Sequence, residues 1–330
     1  NGIVAKIYGT GEINFEKISG YGRDEICKSA KEKIRVACDC PNAEIHFLVG
    51  GTQTDATVID ALLKRYETVI TANTGHITEH EAGAIEAKGH KVTMLPSHEG
   101  KISCDDLLAF LKNYFDDENN AHIVRPGVVY ISFPTEFGTI YSLDELKSLR
   151  KVCDEYNLKL YLDGARLGYG LSASSDVTLK DIAKYCHAFY IGGTKVGAMF
   201  GEAVVFTEEN LVPHFFTLIK QNGALLAKGW LLGVQFDTLF TDDLYFKISD
   251  NAIKMAKRIE QAFVQKGYKI FIDSPTNQKF IVLENSKMQE LKKSVSFSYW
   301  QKFDENHTVV RFATSWATTD EQVDELLRLI

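Results

Sequence analysis

A lysine set among glycines is the first residue whose surroundings suggest chemistry. The run Tyr190-Ile-Gly-Gly-Thr-Lys-Val-Gly-Ala198 puts Lys195 after an apolar stretch, with Gly192, Gly193 and Gly197 around it. Burying an ammonium is unfavourable, so a lysine in such a place has a task. Burial also lowers its pKa, which makes the amine a Schiff-base nucleophile. The plain alternative is a lysine on a surface turn. An acid comes earlier, in Leu160-Tyr-Leu-Asp-Gly-Ala-Arg166, where Asp163 closes an apolar strand pattern. An acid at the carboxyl tip of a strand in a parallel sheet faces the ligand crevice. It could equally cap a helix or pair with Arg166.

Three further groups complement these two. Gly50-Gly51-Thr52-Gln53 lies between a strand pattern and a helix pattern. Glycines permit the tight turn, and the helix start presents free N–H groups to an anion. The run is neither a Walker loop nor a dinucleotide fingerprint. Thr74-Gly-His-Ile-Thr-Glu-His-Glu81 contains His76-x-x-Glu79-His80, the inverted zinc-protease spacing. Zinc would need a third ligand that the sequence does not offer. Otherwise His76, beside a turn, can lay its imidazole over a ligand ring, or the segment is a polar loop. Arg311, inside the strand pattern Thr308-Val-Val-Arg-Phe-Ala313, has the fork geometry that suits a carboxylate, or else it faces solvent.

Alternating elements position these residues. Strands are predicted at Glu44–Val49, Thr68–Ala72, Lys91–Leu95, Gly127–Ser132, Lys159–Asp163, His187–Ile191 and Glu202–Phe206. Helices are predicted at Thr52–Lys64, Asp105–Phe115 and Leu143–Tyr156. Such alternation, with continuous apolar strands, indicates an α/β architecture built on a mostly parallel, helix-covered sheet. Past about residue 210 the texture changes. Helices are predicted at Glu208–Asn222, Leu225–Leu239, Ser249–Lys266, Ser286–Lys293 and Asp320–Leu329, with short strands at Lys269–Ile272, Lys279–Leu283 and Val309–Phe312. This is a smaller α+β unit after a connecting helix. The expected division is an N-terminal arm over 1–22, a large domain over 23–222 and a small C-terminal domain over 223–330.

Composition bounds the function classes. The 330 residues are 45% hydrophobic and 25% charged, with a net charge of −7. A core can form, and a globally basic surface for nucleic acid is excluded. No apolar run approaches the roughly 18 residues of a spanning helix, and no secretory signal pattern opens the sequence as given. Six scattered cysteines without a C-x-x-C pair fit reduced thiols in a cytoplasmic protein.

Together, an anion loop, a histidine, a strand-tip acid, a glycine-flanked lysine and an arginine suit pyridoxal phosphate, which needs a lysine Schiff base and an acid for its pyridinium nitrogen. The sequence resembles the threonine aldolase and β-eliminating lyase family of pyridoxal-phosphate enzymes. The resemblance runs from Gly20-Tyr-Gly-Arg-Asp24 to Arg311 and the terminal helix. It rests most on Asp163-Gly-Ala-Arg166 and Gly192-Gly-Thr-Lys195, supported by Gly51-Thr52, by His76 with Glu81-Ala-Gly83, and by Arg311-Phe312.

This resemblance implies an aspartate-aminotransferase-like fold of type I. It implies that Lys195 carries the Schiff base, Asp163 pairs with the pyridinium nitrogen and His76 stacks on the ring. Gly51, Thr52 and Gln53 hold the phosphate, Arg166 also belongs to the cofactor site, and Arg166 and Arg311 bind the substrate carboxylate. Lys228 reaches the phosphate from a neighbouring subunit of a homo-oligomer, a dimer or tetramer. Tyr21 and Glu136 join the substrate site, Glu136 standing where threonine aldolases carry a second histidine. Asp55 stands where a neutral residue is usual, and is expected to face away from the phosphate. The implied reaction is retro-aldol cleavage of L-threonine, L-allo-threonine or a related β-hydroxy amino acid to glycine and an aldehyde. His76 is the first candidate base and His80 the second. A β-eliminating lyase is the near alternative, and a zinc hydrolase on His76 and His80 a remote one.

Overall fold

The structure, a computed structural model, describes residues 2–7, 13–174 and 176–330. Of the expected arm over 1–22, residues 1 and 8–12 lie outside these. Strands β1 (Gly2–Ile7) and β2 (Ile13–Ile18) pair antiparallel. The main sheet has seven strands: β3 (Glu44–Leu48), β4 (Glu67–Ala72), β5 (Lys91–Leu95), β6 (Arg125–Ser132), β7 (Lys159–Asp163), β8 (Ala188–Gly192) and β9 (Glu202–Phe206). Their order is β3-β9-β8-β7-β6-β4-β5.

The sheet is mostly parallel, as expected, and one strand is the exception. β9 pairs antiparallel with both β8 and β3, and alone runs against the other six. A parallel return needs a crossover of about a dozen residues or more. The segment 193–201 that links β8 to β9 is too short for one, so the chain doubles back as a hairpin.

Both faces of this sheet are buried, which is why its strands read as continuous apolar runs. On β6, Val129 and Ile131 join Leu160, Leu162, Phe189 and Ile191 on one face. Val128 and Tyr130 join Tyr161, Tyr190, Val204 and Phe206 on the other. The helix Gly51–Leu62 adds Val58 and Ile59 to the tyrosine face. Helices Cys104–Asp116 and Leu143–Glu155 cover the opposite face, the second begun by a capping box of Ser142 and Glu145.

The second sheet is antiparallel, in the order β10 (Lys269–Ile270), β11 (Gln278–Glu284), β13 (His307–Ala313), β12 (Ser298–Lys302). The helix Leu244–Gln265 belongs to both cores. Its Tyr245, Ala252 and Ile253 pack on the main sheet side, and its Met255, Ile259 and Phe263 pack against Ile281, Leu283, Val310 and Phe312.

Several predicted helices are redrawn. The one expected over Glu208–Asn222 spans only Phe215–Gln221, because Pro213 disfavours helix before it and His214 has φ of 61°. The one expected from Leu225 begins at Trp230. The helix Glu25–Cys38, which buries Cys27, Ala30, Ile34 and Cys38 at helical spacing, and the edge strand β12 were not expected.

Candidate active site

Five strands of the main sheet deliver a candidate residue at or just beyond their carboxyl ends. β3 leads to Gly51, β4 to His76, β6 to Glu136, β7 to Asp163 and Arg166, and β8 to Lys195. This edge is where an open α/β sheet binds ligands.

Asp163 is the most firmly held. Its Oδ2 accepts the Tyr130 hydroxyl from the adjacent strand, and its Oδ1 accepts the Ala165 amide at 2.8 Å. Burial by itself would raise this carboxyl. The His76 charge and hydrogen bonds from Tyr130, Tyr190 and Ala165 outweigh it and hold Asp163 below the ordinary carboxylate value. The tyrosine and amide bonds remain in place when His76 is neutral. Gly164 follows because no other residue fits: a Cβ there would lie 1.9 Å from the Tyr190 carbonyl oxygen.

Lys195 sits in the β8–β9 hairpin. Gly193 N–H donates to the Gly201 carbonyl at 3.0 Å and to Glu202 Oε2 at 2.9 Å, and the Thr194 hydroxyl donates to Glu202 Oε1 at 2.7 Å. The Tyr169 hydroxyl donates to the Lys195 carbonyl oxygen. Burial, then the Arg166 charge, lowers the Lys195 ammonium below the ordinary lysine value, which favours the nucleophilic amine.

The helix Gly51–Leu62 opens after Gly50 with no side-chain cap, so its first amides face outward from the turn. Thr52 is exposed at this end, whereas Gln53 turns back and its Oε1 accepts the Val49 amide at 3.1 Å. Asp55, one helical turn in, is fully buried and its Oδ1 accepts the Tyr161 hydroxyl at 2.8 Å. Burial, then Asp163 and Glu81, push Asp55 well up, and burial and Asp163 push Glu81 to about 7. Both acids therefore hold protons readily beside the ionised Asp163.

A cavity of about 490 Å³ opens beside these groups, lined among others by His76, His80, Glu136, Arg166, Trp300 and Arg311. His76 begins a single helical turn, His76–Glu79. Burial depresses its imidazole to about 4, so the ring is neutral at neutral pH. Its Nδ1 stands 3.7 Å from Glu136 Oε1, which accepts the Ser132 hydroxyl at 2.9 Å. Glu136 is buried, its Oε2 has no partner, and burial followed by the Asp163 charge raises its carboxyl to about 7. Arg311 enters from β13. Its Nη1 donates to Gln278 Oε1 at 2.9 Å, its guanidinium lies 5.4 Å from the Trp300 ring centre, and its Nε is buried without a partner.

Tyr21 and Lys228 lie elsewhere. Tyr21 is 45% exposed, its amide donates to the Ala227 carbonyl at 3.0 Å, and it borders a different, smaller pocket. Lys228 is exposed just ahead of the helix Trp230–Leu239. The two share one patch, apart from the His76 cavity. His76 and His80 ring centres are 5.4 Å apart, but among the described residues no three His, Cys, Asp or Glu side chains are placed to hold a metal.

Sequence reasoning missed Tyr130, Tyr190, Glu202 and Trp300. The tyrosines looked like core residues, and only their shared face reveals hydroxyls aimed at buried acids. The donor set fits pyridoxal phosphate. A helix start suits the phosphate, a buried ionised carboxylate suits a protonated ring nitrogen, and an amine with lowered pKa suits an aldehyde.

Residues 12–286 match the family model described as beta-eliminating lyase. The chain is 28% identical to the low specificity L-threonine aldolase of Pseudomonas aeruginosa, over 96% of this chain and 90% of that protein. It is 24% identical to that of Saccharomyces cerevisiae, over 73% of this chain and 62% of the relative. Among solved structures, Leishmania major threonine aldolase matches with a TM-score of 0.92 and 39% identity, over 96% of this chain and 92% of the other. A histidinol-phosphate aminotransferase from Clostridium acetobutylicum, 15% identical with a TM-score of 0.70 over 92% of this chain and 87% of its own, shares the fold.

Proposed function

Because this chain belongs to the beta-eliminating lyase family, we propose that it cleaves L-threonine, L-allo-threonine or a related β-hydroxy amino acid to glycine and an aldehyde. It is a pyridoxal-phosphate-dependent lyase of fold type I. The narrower reading is carried by one observation: Arg166 and Arg311 share a cavity with His76 and Glu136. A substrate carboxylate gripped by the arginines would set the neighbouring carbons beside groups able to take a hydroxyl proton. The relatives named L-threonine aldolase support the same reading.

On this reading Lys195 holds the cofactor's aldehyde carbon, Asp163 its ring nitrogen, and Gly51, Thr52 and Gln53 its phosphate, while His76 lies against the ring. When bound, the cofactor supplies an electron sink for the bond broken at Cα. The protein does the rest. Two guanidinium groups facing one cavity repel each other, and an entering carboxylate relieves that repulsion while fixing the substrate's orientation. Asp163 keeps its charge because Tyr130 and the Ala165 amide compensate it. His76, neutral at neutral pH, places no competing cation over the ring.

Incubation of the loaded enzyme with L-threonine and L-allo-threonine, with glycine and acetaldehyde measured, tests this. Ammonia and a keto acid in their place would instead indicate β-elimination. A homotetramer in the cytoplasm belongs to the same proposal. The exposed Lys228, with Leu231 and Val234 exposed on the helix behind it, supports subunit contact at that patch, and sedimentation equilibrium measures it.

A further inference from the structure

We infer that Glu136, rather than His76, is the base that takes the proton from the substrate's β-hydroxyl. The inference rests on the aldolase reading above. Glu136 follows β6 and lines the cavity that also holds Arg166 and Arg311. Ser132 fixes one of its oxygens by donating to Oε1 at 2.9 Å, and Oε2 is left without a partner. A buried carboxyl oxygen that accepts nothing is unfavourable unless something arrives to satisfy it. A hydroxyl donor beside the gripped carboxylate is such a group.

The competing candidate is less suited. His76 is assigned to the cofactor ring, and its Nδ1 points toward Glu136 at 3.7 Å. Its imidazole, near 4, is a weak base, whereas a carboxyl near 7 matches neutral pH. The charged and titratable groups around Glu136 are Asp163, which raises it, Arg166, which lowers it, the buried phenols Tyr130 and Tyr141, and His76, His80, Glu79, Tyr299 and Arg311 across the cavity.

In the step, the Glu136 carboxylate takes the β-hydroxyl proton. The freed O–H pair becomes the second C–O bond of the aldehyde, and the Cα–Cβ bond breaks with its pair left on Cα. Cα then takes a proton from solvent, Glu136 returns its own proton to solvent, and glycine leaves. One substrate gives two products with no net proton.

The test is Glu136→Gln in the holoenzyme, with three readouts. Threonine cleavage should fall about 10²- to 10⁴-fold in kcat. Cofactor retention on dialysis should be unchanged. Exchange of the glycine α-hydrogen with D₂O, which needs no β-hydroxyl base, should persist. In the wild type kcat should fall as pH drops through about 7, and Glu136→His should restore part of the activity with a shifted limb. Full cleavage by Glu136→Gln overturns the inference. Equal loss of cleavage, exchange and cofactor overturns it too, as it would show a structural role. A wild type that exchanges glycine but releases no aldehyde from any β-hydroxy amino acid would instead sink the aldolase reading, and this inference with it.

Discussion

Glu202, at the start of β9, accepts the Thr194 hydroxyl at 2.7 Å, so the residue before Lys195 is tied to the strand that follows the hairpin. The same carboxyl takes the Gly193 amide. Glu202→Ala would remove the acceptor of the Thr194 hydroxyl and one of the two acceptors of the Gly193 amide, which keeps the Gly201 carbonyl, at a cost of about 1–3 kcal/mol. We expect a lower Tm and weaker cofactor retention. Glu202→Gln, whose single carbonyl oxygen can satisfy only one donor well, should fall between. Dialysis against buffer followed by absorbance of retained cofactor measures this. Retention equal to wild type in both variants would show that the hairpin holds its shape without the carboxyl.

Arg311→Lys keeps the charge but loses the planar fork. With Arg311 as a carboxylate binder, KM should rise roughly 10- to 100-fold, equivalent to about 1.5–3 kcal/mol of charged hydrogen bonding, with a smaller change in kcat. Steady-state kinetics decide. A fall in kcat at constant KM would assign Arg311 to another task.

Lys228→Ala should weaken cofactor retention without lowering the Tm of the cofactor-free protein, if Lys228 serves a neighbouring subunit's phosphate. Unchanged retention would remove that contact from the proposal.

Stability should depend on pH in a particular window. Glu81, Glu136 and Glu202 are each raised from 4.5 to about 7, chiefly by burial. Their contribution is complete below 4.5 and is lost as pH rises through 7. His46, His76 and His187 are depressed from 6.5 to about 3, 4 and 4 by burial. Their contribution runs the other way and is complete above 6.5. The two sets offset each other below 6.5. Above it, of these six groups only the acids act, and they should lower the Tm of the cofactor-free protein between about pH 6.5 and 8, by on the order of 2 kcal/mol of stability. Thermal melts across that range measure it, and a rising Tm would refute it.

Much of this was legible in the sequence because strands buried on both faces are apolar without interruption. Lys159–Asp163 and Glu202–Phe206 were read to the residue. The glycines beside Asp163 and Lys195 were visible as types, but their reason was not. Gly164 and Gly192 are required because the two segments touch, a Cβ on Gly192 meeting the Ala165 carbonyl oxygen at 2.4 Å. The direction of β9 was not legible, since an apolar strand looks alike in either sense. β12 was missed because an edge strand with mostly exposed side chains has little burial pattern to show. The hydroxyl partners of Asp163 and Asp55 were hidden for a related reason: Tyr130 and Tyr161 are cross-strand neighbours, and register is a property of the assembled sheet.

The reversed strand has a mechanical consequence. Because β8 and β9 are laddered to each other from Ala188 to Gly192 and back through Glu202 to Phe206, both ends of the segment bearing Lys195 are anchored in the sheet. On the proposed role, the Lys195 amine would hold the cofactor between turnovers and release it to each substrate. With its main chain clamped on both sides, that travel falls to the rotations of its own methylene stem. On that role Lys195 would work as a swinging arm on a fixed post, its amine staying within a side chain's reach of one place.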